Sequence, residues 1–179
     1  MAAQCVVGPG LFLAFNKAIV EVLSRRLRKT PMIATTLHAH GFGCIRDAHP
    51  KARFDRAKYK AVATVVLSEC LSEPSVRRLT APLCHALEFL RIRRLPLAPP
   101  EIRHALGRTG LDVAAHEVRL RDGSTPTDVT FDAGIVWAMG EMLTRGRRMG
   151  GSTVDYTDML CLPLELPLRI RTSPWVFLD

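Results

Sequence analysis

Apolar residues recur at helical spacing through most of this chain, and the breaks between stripes fall at Gly and Pro. The clearest stretch is Lys51 to Pro74. After Asp55, the residues Tyr59, Val62, Val66 and Cys70 share one helical face, with Arg56, Lys60 and Thr64 on another. The β-branched run Val62 to Val66 would by itself suit a strand. Its length without a breaker, and an Asp55 carboxylate able to cap a first turn, instead predict a helix that exits at Leu71-Ser72-Glu73-Pro74.

On either side the same periodicity predicts further helices. Leu11 to Leu27 carries Phe12, Phe15, Ile19, Leu23 and Leu27 along one side and ends in Arg25, Arg26, Arg28 and Lys29. Thr30-Pro31 suits a restart over about Met32 to His40, with Gly41 and Gly43 as the stop and a loop from Cys44 to Lys51. Val76, Leu79, Leu83, Leu87 and Leu90 form the next stripe, interrupted by Pro82, with Thr80 as a cap for the restart. Leu95 to Pro100 reads as a stiff extended connection, followed by a short helix from Glu101 to Leu106. Leu111 to Leu120 fits helix or strand, and Arg121 to Thr127 a loop. Thr127 to Arg145 has two apolar stripes, Phe131, Ile135, Ala138, Met142 and Val129, Val136, Met139, Leu143, which predict a central buried helix stopped by Gly146. Val154 to Leu162 reads as a short helix and Pro163 to Asp179 as an extended tail. The sum is an all-α fold. It is an antiparallel four-helix bundle with short extra helices and an extended C-terminal tail, in one domain over residues 1–179 with its core at about 11–160.

Composition agrees with a folding chain: 47% of 179 residues are apolar, enough for one core without staples. No apolar run approaches the roughly 18 residues of a membrane span, and neither a signal peptide nor a membrane partner is expected. Five scattered cysteines with no C-x-x-C spacing predict free thiols rather than a disulfide framework or a zinc site.

Charge changes the picture more. The net charge is +8. Residues 1–108 hold 18 basic against 7 acidic side chains, whereas 109–179 hold 7 against 10. Twenty of the 25 basic residues are Arg, whose planar fork suits phosphate. A polyanion partner, most simply nucleic acid, follows. Arg77, Arg78, Arg91, Arg93 and Arg94 flank one helical segment as candidate phosphate ligands. Aromatics are only 6% and few lie among the arginines, so backbone neutralisation is expected over base stacking.

Catalytic patterns are missing. His38, His40, Cys44 and His49 fit no common zinc spacing, so no metal is expected. Asp128 and Asp132 lie four apart on one face but lack a matched acid, a metal partner or a Gly-rich phosphate loop. There is no G-x-S-x-G, Cys-His-Asn order or Walker loop. A non-enzymatic protein with no cofactor and no small-molecule substrate is the expectation.

Three ordered motifs resemble the coat proteins of rod-shaped helical plant RNA viruses, the tobacco-mosaic-like group and the benyvirus type. Arg53-Phe54 looks like the Arg-Phe pair that opens a core helix there. Leu71-Ser72-Glu73-Pro74 is similar to a Leu-Ser-Asp-Pro turn, and Phe131-Asp132-Ala133-Gly134-Ile135-Val136 to an Asp-Ala-x-x-Ile segment of a long later helix. Asp55 stands where that family has Pro, and the Asp155-Tyr156-Thr157-Asp158 patch lacks its Phe-Glu pair. The resemblance implies a four-helix bundle that self-assembles into a helical capsid around single-stranded RNA, in virions and host cytoplasm. Arg91, Arg93 and Arg94 would then be phosphate ligands, with Asp132 and Asp128 near the RNA and Arg53 and Phe54 as an ion-pair and packing anchor.

A second likeness is to apoptosis regulators of the B-cell-lymphoma type. Arg121-Asp122-Gly123 and Gly134-Ile135-Val136-Trp137-Ala138 are similar to that family's Asp-Gly and Trp-containing region. The spacer is longer here, the Arg that binds the partner helix is missing, and no C-terminal anchor is expected. It implies a non-enzymatic bundle that binds an amphipathic partner helix.

Overall fold

The computed structural model describes residues 9–109 and 117–178. These fall into two compact units, one drawn from Met1–Ala52 and Asp158–Asp179, the other from Arg53–Thr157. The all-α expectation is overturned. Helices predominate, but both units contain parallel β-pairing.

In the first unit the leading apolar run is a strand, β1 (Gly10–Ala14), and not the start of a helix. Leu11, Leu13 and Ala14 are buried, the continuous pattern of a strand inside a parallel sheet. Asn16 ends the strand and starts helix α1 (Lys17–Arg26), its Oδ1 accepting from the Ile19 N–H at 3.0 Å. Strand β2 (Met32–Thr36) replaces the predicted second helix and pairs in parallel with β1, Gly10 opposite Met32. Helix α2 (Leu37–Ala48) follows from a Thr36 cap, Oγ1 to the Ala39 N–H at 3.1 Å.

Gly41 and Gly43 therefore lie inside a helix. A Cβ at Gly41 would overlap the Met159 carbonyl oxygen of helix α7 (Tyr156–Glu165), so glycine here permits close backbone approach and does not stop the helix. The predicted extended tail ends in a paired strand, though most of its side chains stay exposed. Strand β5 (Trp175–Leu178) pairs in parallel with β1, giving the order β2-β1-β5, and Phe12 stacks on Phe177 with ring centroids 6.0 Å apart. Arg171 adds a fork to Asp47 at 2.5 and 2.6 Å, and the Ser173 hydroxyl donates to the Pro9 carbonyl at 3.0 Å.

The second unit holds the helices that the periodicity located. Arg53–Phe54 is a two-residue strand, β3, paired with β4 (Thr153–Val154), and does not open a helix. Asp55 accepts from the Ala57 N–H at 2.8 Å in the intervening turn, and helix α3 (Lys58–Ser68) begins one residue later. Helix α4 (Glu73–Arg93) runs unbroken through Pro82, while Thr80 donates back to the Val76 carbonyl at 2.7 Å and caps nothing. Helices α5 (Pro99–Gly107) and α6 (Asp128–Arg148) complete the layer.

The core joins Val62, Val66 and Leu67 of α3, the whole α4 stripe, Ile102 of α5, and Ile135, Met139 and Met142 of α6. Helix α6 is buried on one side only, since Val129 is 79% exposed and Trp137 43%. Gly146 does not end it. A Cβ there would lie 2.5 Å from the Tyr59 Cζ and Oη, so the glycine makes room for that ring.

Candidate nucleic-acid interface

The arginines singled out from the sequence are placed in different settings. Arg77 and Arg78 occupy the first turns of α4 and are engaged by carboxylates, Arg77 with Glu73 at 3.1 Å and Arg78 with Glu117 at 2.5 Å. Arg91 is buried: its Nη1 donates to the Tyr59 hydroxyl at 2.9 Å and its guanidinium lies 5.2 Å from that ring's centroid. Arg93 and Arg94 are exposed at the C-terminal end of α4.

The corner between α4 and α5 is built by backbone geometry. Arg94 is the C-cap with φ 55°, the left-handed conformation that commonly closes a helix. It is costly for a residue with a Cβ. The Leu95 N–H bonds the Leu90 carbonyl at 2.9 Å, completing the turn. Pro99 and Pro100 then start α5 with φ already set for a helix. This brings Arg108, just beyond α5, back to α4. The Phe89 ring has the Arg93 guanidinium 5.6 Å and the Arg108 guanidinium 5.2 Å from its centroid, with the His104 ring tilted at 5.9 Å.

Arg103 of α5 pairs with Asp132 of α6. That carboxylate is thus neutralised by an arginine of the neighbouring helix. Asp128 sits in the first turn of α6, where the positive helix end favours it. The structure therefore brings Arg93 and Arg108 to one ring, pairs Asp132 separately with Arg103, and leaves Arg77 and Arg78 at the other end of α4. Arg53 and Phe54 belong to β3, where the Phe54 ring packs on Tyr156 with centroids 4.6 Å apart. Arg108 was not among the arginines that sequence spacing singled out. The signal was the Phe89–Arg93 spacing of four followed by a short proline hinge, which returns the chain to the same ring.

Other chemistry is limited. His38, His40 and Cys44 lie on α2 and His49 caps it. Among the described residues no group of three or more His, Cys, Asp or Glu is placed to hold a metal ion. Burial, reinforced by Asp155 and Glu88, pushes the Cys84 thiol up to about 11, so it is protonated at neutral pH. Among the described residues no helix is long and apolar enough to cross a membrane. An apolar recess of about 90 Å³ near Trp137 has room for a side chain rather than for a row of helix anchors.

The α4–α5 corner presents cationic, planar side chains, a chemistry complementary to anionic oxygens. Guanidinium planes against an aromatic face keep a fixed orientation and an outward fork for anionic oxygens. No protein-family model matches this chain, and no curated protein matches it either.

Proposed function

We propose that the protein binds single-stranded RNA without base preference, neutralising its phosphates with the arginines at the α4–α5 corner. The observation that carries this is the Phe89 ring shared by Arg93 and Arg108, beside exposed Arg94. Two guanidiniums held on one ring lose less freedom on meeting a phosphate than two unsupported side chains would. The excess of basic over acidic residues in the first 108 positions supports a polyanionic partner.

The rod-virus likeness extends the reading to a structural, non-enzymatic coat, with many copies lined along genomic RNA in a virion. That extension rests on the ordered sequence motifs and not on a four-helix bundle.

Fluorescence anisotropy with labelled RNAs of different sequence, across a salt series, tests the proposal. Similar affinities for all sequences are expected. In R93Q/R94Q/R108Q the salt slope should fall by about 2, from roughly 0.7 per phosphate contact on a single strand. An unchanged slope would reject the corner as the interface. Electron microscopy with and without RNA tests the coat: rods or stacked discs support it, and a dispersed monomer that ignores RNA sinks it.

A further inference from the structure

The sheet of the first unit ends on β5, and that edge is open. In the order β2-β1-β5, one side of the β5 backbone bonds β1, and no strand lies on the other side among the described residues. We propose that β5 pairs edge to edge, antiparallel, with β5 of a second copy of this chain, joining the two sheets into one.

The backbone sets the class of partner. A row of N–H and C=O groups with no strand beside it is met by another strand. Proteins that stay apart blunt such an edge with charge or proline, and β2 follows that rule, with Arg28, Lys29 and Pro31 leading into it. At β5 the charge is missing. From Thr172 to Leu178 there is no charged residue, and Trp175, Val176 and Leu178 are 49%, 51% and 71% exposed. The sheet face shows the same gap. Ile33 and Val176 stand on either side of Leu11, and Leu178 beside Leu13, so all five share one face. Leu11 and Leu13 are buried, whereas Ile33, Val176 and Leu178 are exposed. The cover over this face reaches the middle strand and leaves the flanks bare.

Symmetry favours the chain's own copy. A two-fold axis normal to the sheet makes the joined strands antiparallel and keeps each face on its own side. Residues directly opposite share a face. With Phe177 at the axis, Val176 lies across from Leu178 of the second copy, and Trp175 is diagonal to Phe177 of the second copy. Each of these contacts sets apolar against apolar, which suits two copies of a chain whose net charge of +8 makes them repel elsewhere. A polyanion finds nothing to hold along this edge. β5 has only four residues and follows Pro174, so the pairing is weak, with a Kd between about 1 μM and 1 mM. It needs no RNA and does not depend on the α4–α5 corner.

Analytical ultracentrifugation of the nuclease-treated full chain at about 0.5 M salt, where phosphate contacts are screened, tests this. A monomer–dimer equilibrium is expected at concentrations up to about 1 mM. In a Trp137→Phe chain, where Trp175 is the remaining tryptophan, emission should move to the blue as the dimer fills. V176K/L178K sets like charges opposite one another and should weaken the dimer by about tenfold or more. Leu178→Lys alone, at the most exposed of the three positions, should act in the same direction. Both side chains are exposed, so the fold is retained, and unchanged far-ultraviolet circular dichroism checks it. R93Q/R94Q/R108Q should dimerise as the wild type does, so pairing and RNA binding are read separately. Three results would overturn the proposal: a monomer throughout, a dimer that the lysine variants leave intact, or Trp175 emission that ignores concentration. A monomer whose emission shifts only on adding a short alternating Thr/Val peptide also overturns it, since the edge then takes a foreign strand.

Discussion

Gly146→Ala sets two effects of opposite sign against each other. Gly146 lies near the end of α6, where alanine would gain up to about 1 kcal/mol of helix propensity. The added Cβ would meet the Tyr59 Cζ and Oη at 2.5 Å and Cε1 at 2.6 Å. Carbon atoms prefer about 3.5–4.0 Å, so the ring must retreat by roughly 1 Å. Tyr59 is buried in the core, where such overpacking costs about 1–3 kcal/mol. The retreat also strains the Arg91 to Tyr59 hydrogen bond, of a charged class worth about 1.5–3 kcal/mol. The net expectation is destabilisation by about 1.5–5 kcal/mol, taking overpacking and bond loss against propensity. Urea unfolding reads it, with Trp175→Phe as background so that Trp137 alone reports on the Arg53–Thr157 unit. In a Tyr59→Ala background the clash partner is gone and the sign should reverse, with Gly146→Ala stabilising by up to about 1 kcal/mol. Equal cost in both backgrounds, or stabilisation of the wild type, would refute the packing account.

Leu83→Ala removes a fully buried side chain from the middle of α4 and should cost about 2–5 kcal/mol in the same assay; a change below about 1 kcal/mol would mean the site is not close-packed. Arg145 donates to both Glu69 oxygens, at 2.6 and 3.0 Å, and this bonding holds the Glu69 carboxyl below its ordinary value of 4.5. A depressed carboxylate lends stability that is complete above the ordinary value and lost as pH falls through the folded one. The wild type should therefore lose stability on acidification below about pH 4.5 more steeply than Arg145→Met, and parallel pH profiles would argue against the pair. Cys84, with its thiol pushed up from 9.0 to about 11, should react with iodoacetamide at pH 8 about 100-fold more slowly than an ordinary thiol, and denaturant should abolish the difference. Rapid labelling of the native chain would contradict that environment.

Helices with a full stripe and clear ends were legible. Val76, Leu79, Leu83, Leu87 and Leu90 all entered the core, and Pro74 marked the first turn of α4. The strands were not. Leu11 to Ala14 is a short apolar run, which periodicity cannot assign, and the Phe12–Phe15 spacing joined it to α1. Asn16 was the missed signal, a capping residue between the two elements. Gly41 and Gly146 were read as stops because local propensity says so, whereas the neighbours that require them, Met159 and Tyr59, are more than 80 positions away. Val176 to Leu178 was hidden for a similar reason: its partner strand lies at the opposite end of the sequence. At the α4–α5 corner the density of arginine was legible. Arg91 lies four positions after Leu87 and so continues the buried stripe, a phase that marked it as the inward arginine and that the weight given to its charge passed over.

The small β3–β4 pair has a consequence for the order of assembly. Joining Gly10 to Trp175 in one sheet closes a loop of about 165 positions, and until the last strand forms, β1 keeps an open edge. The Arg53–Thr157 unit is a single unbroken stretch, and Arg53 pairs with Thr153. Once that clasp forms, the intervening hundred or so residues no longer count toward the loop, whose effective length falls to roughly 65. The saving in closure entropy is about 1 kcal/mol. Two paired residues thus act as a short circuit in the chain, letting its two distant ends find each other after its middle has folded.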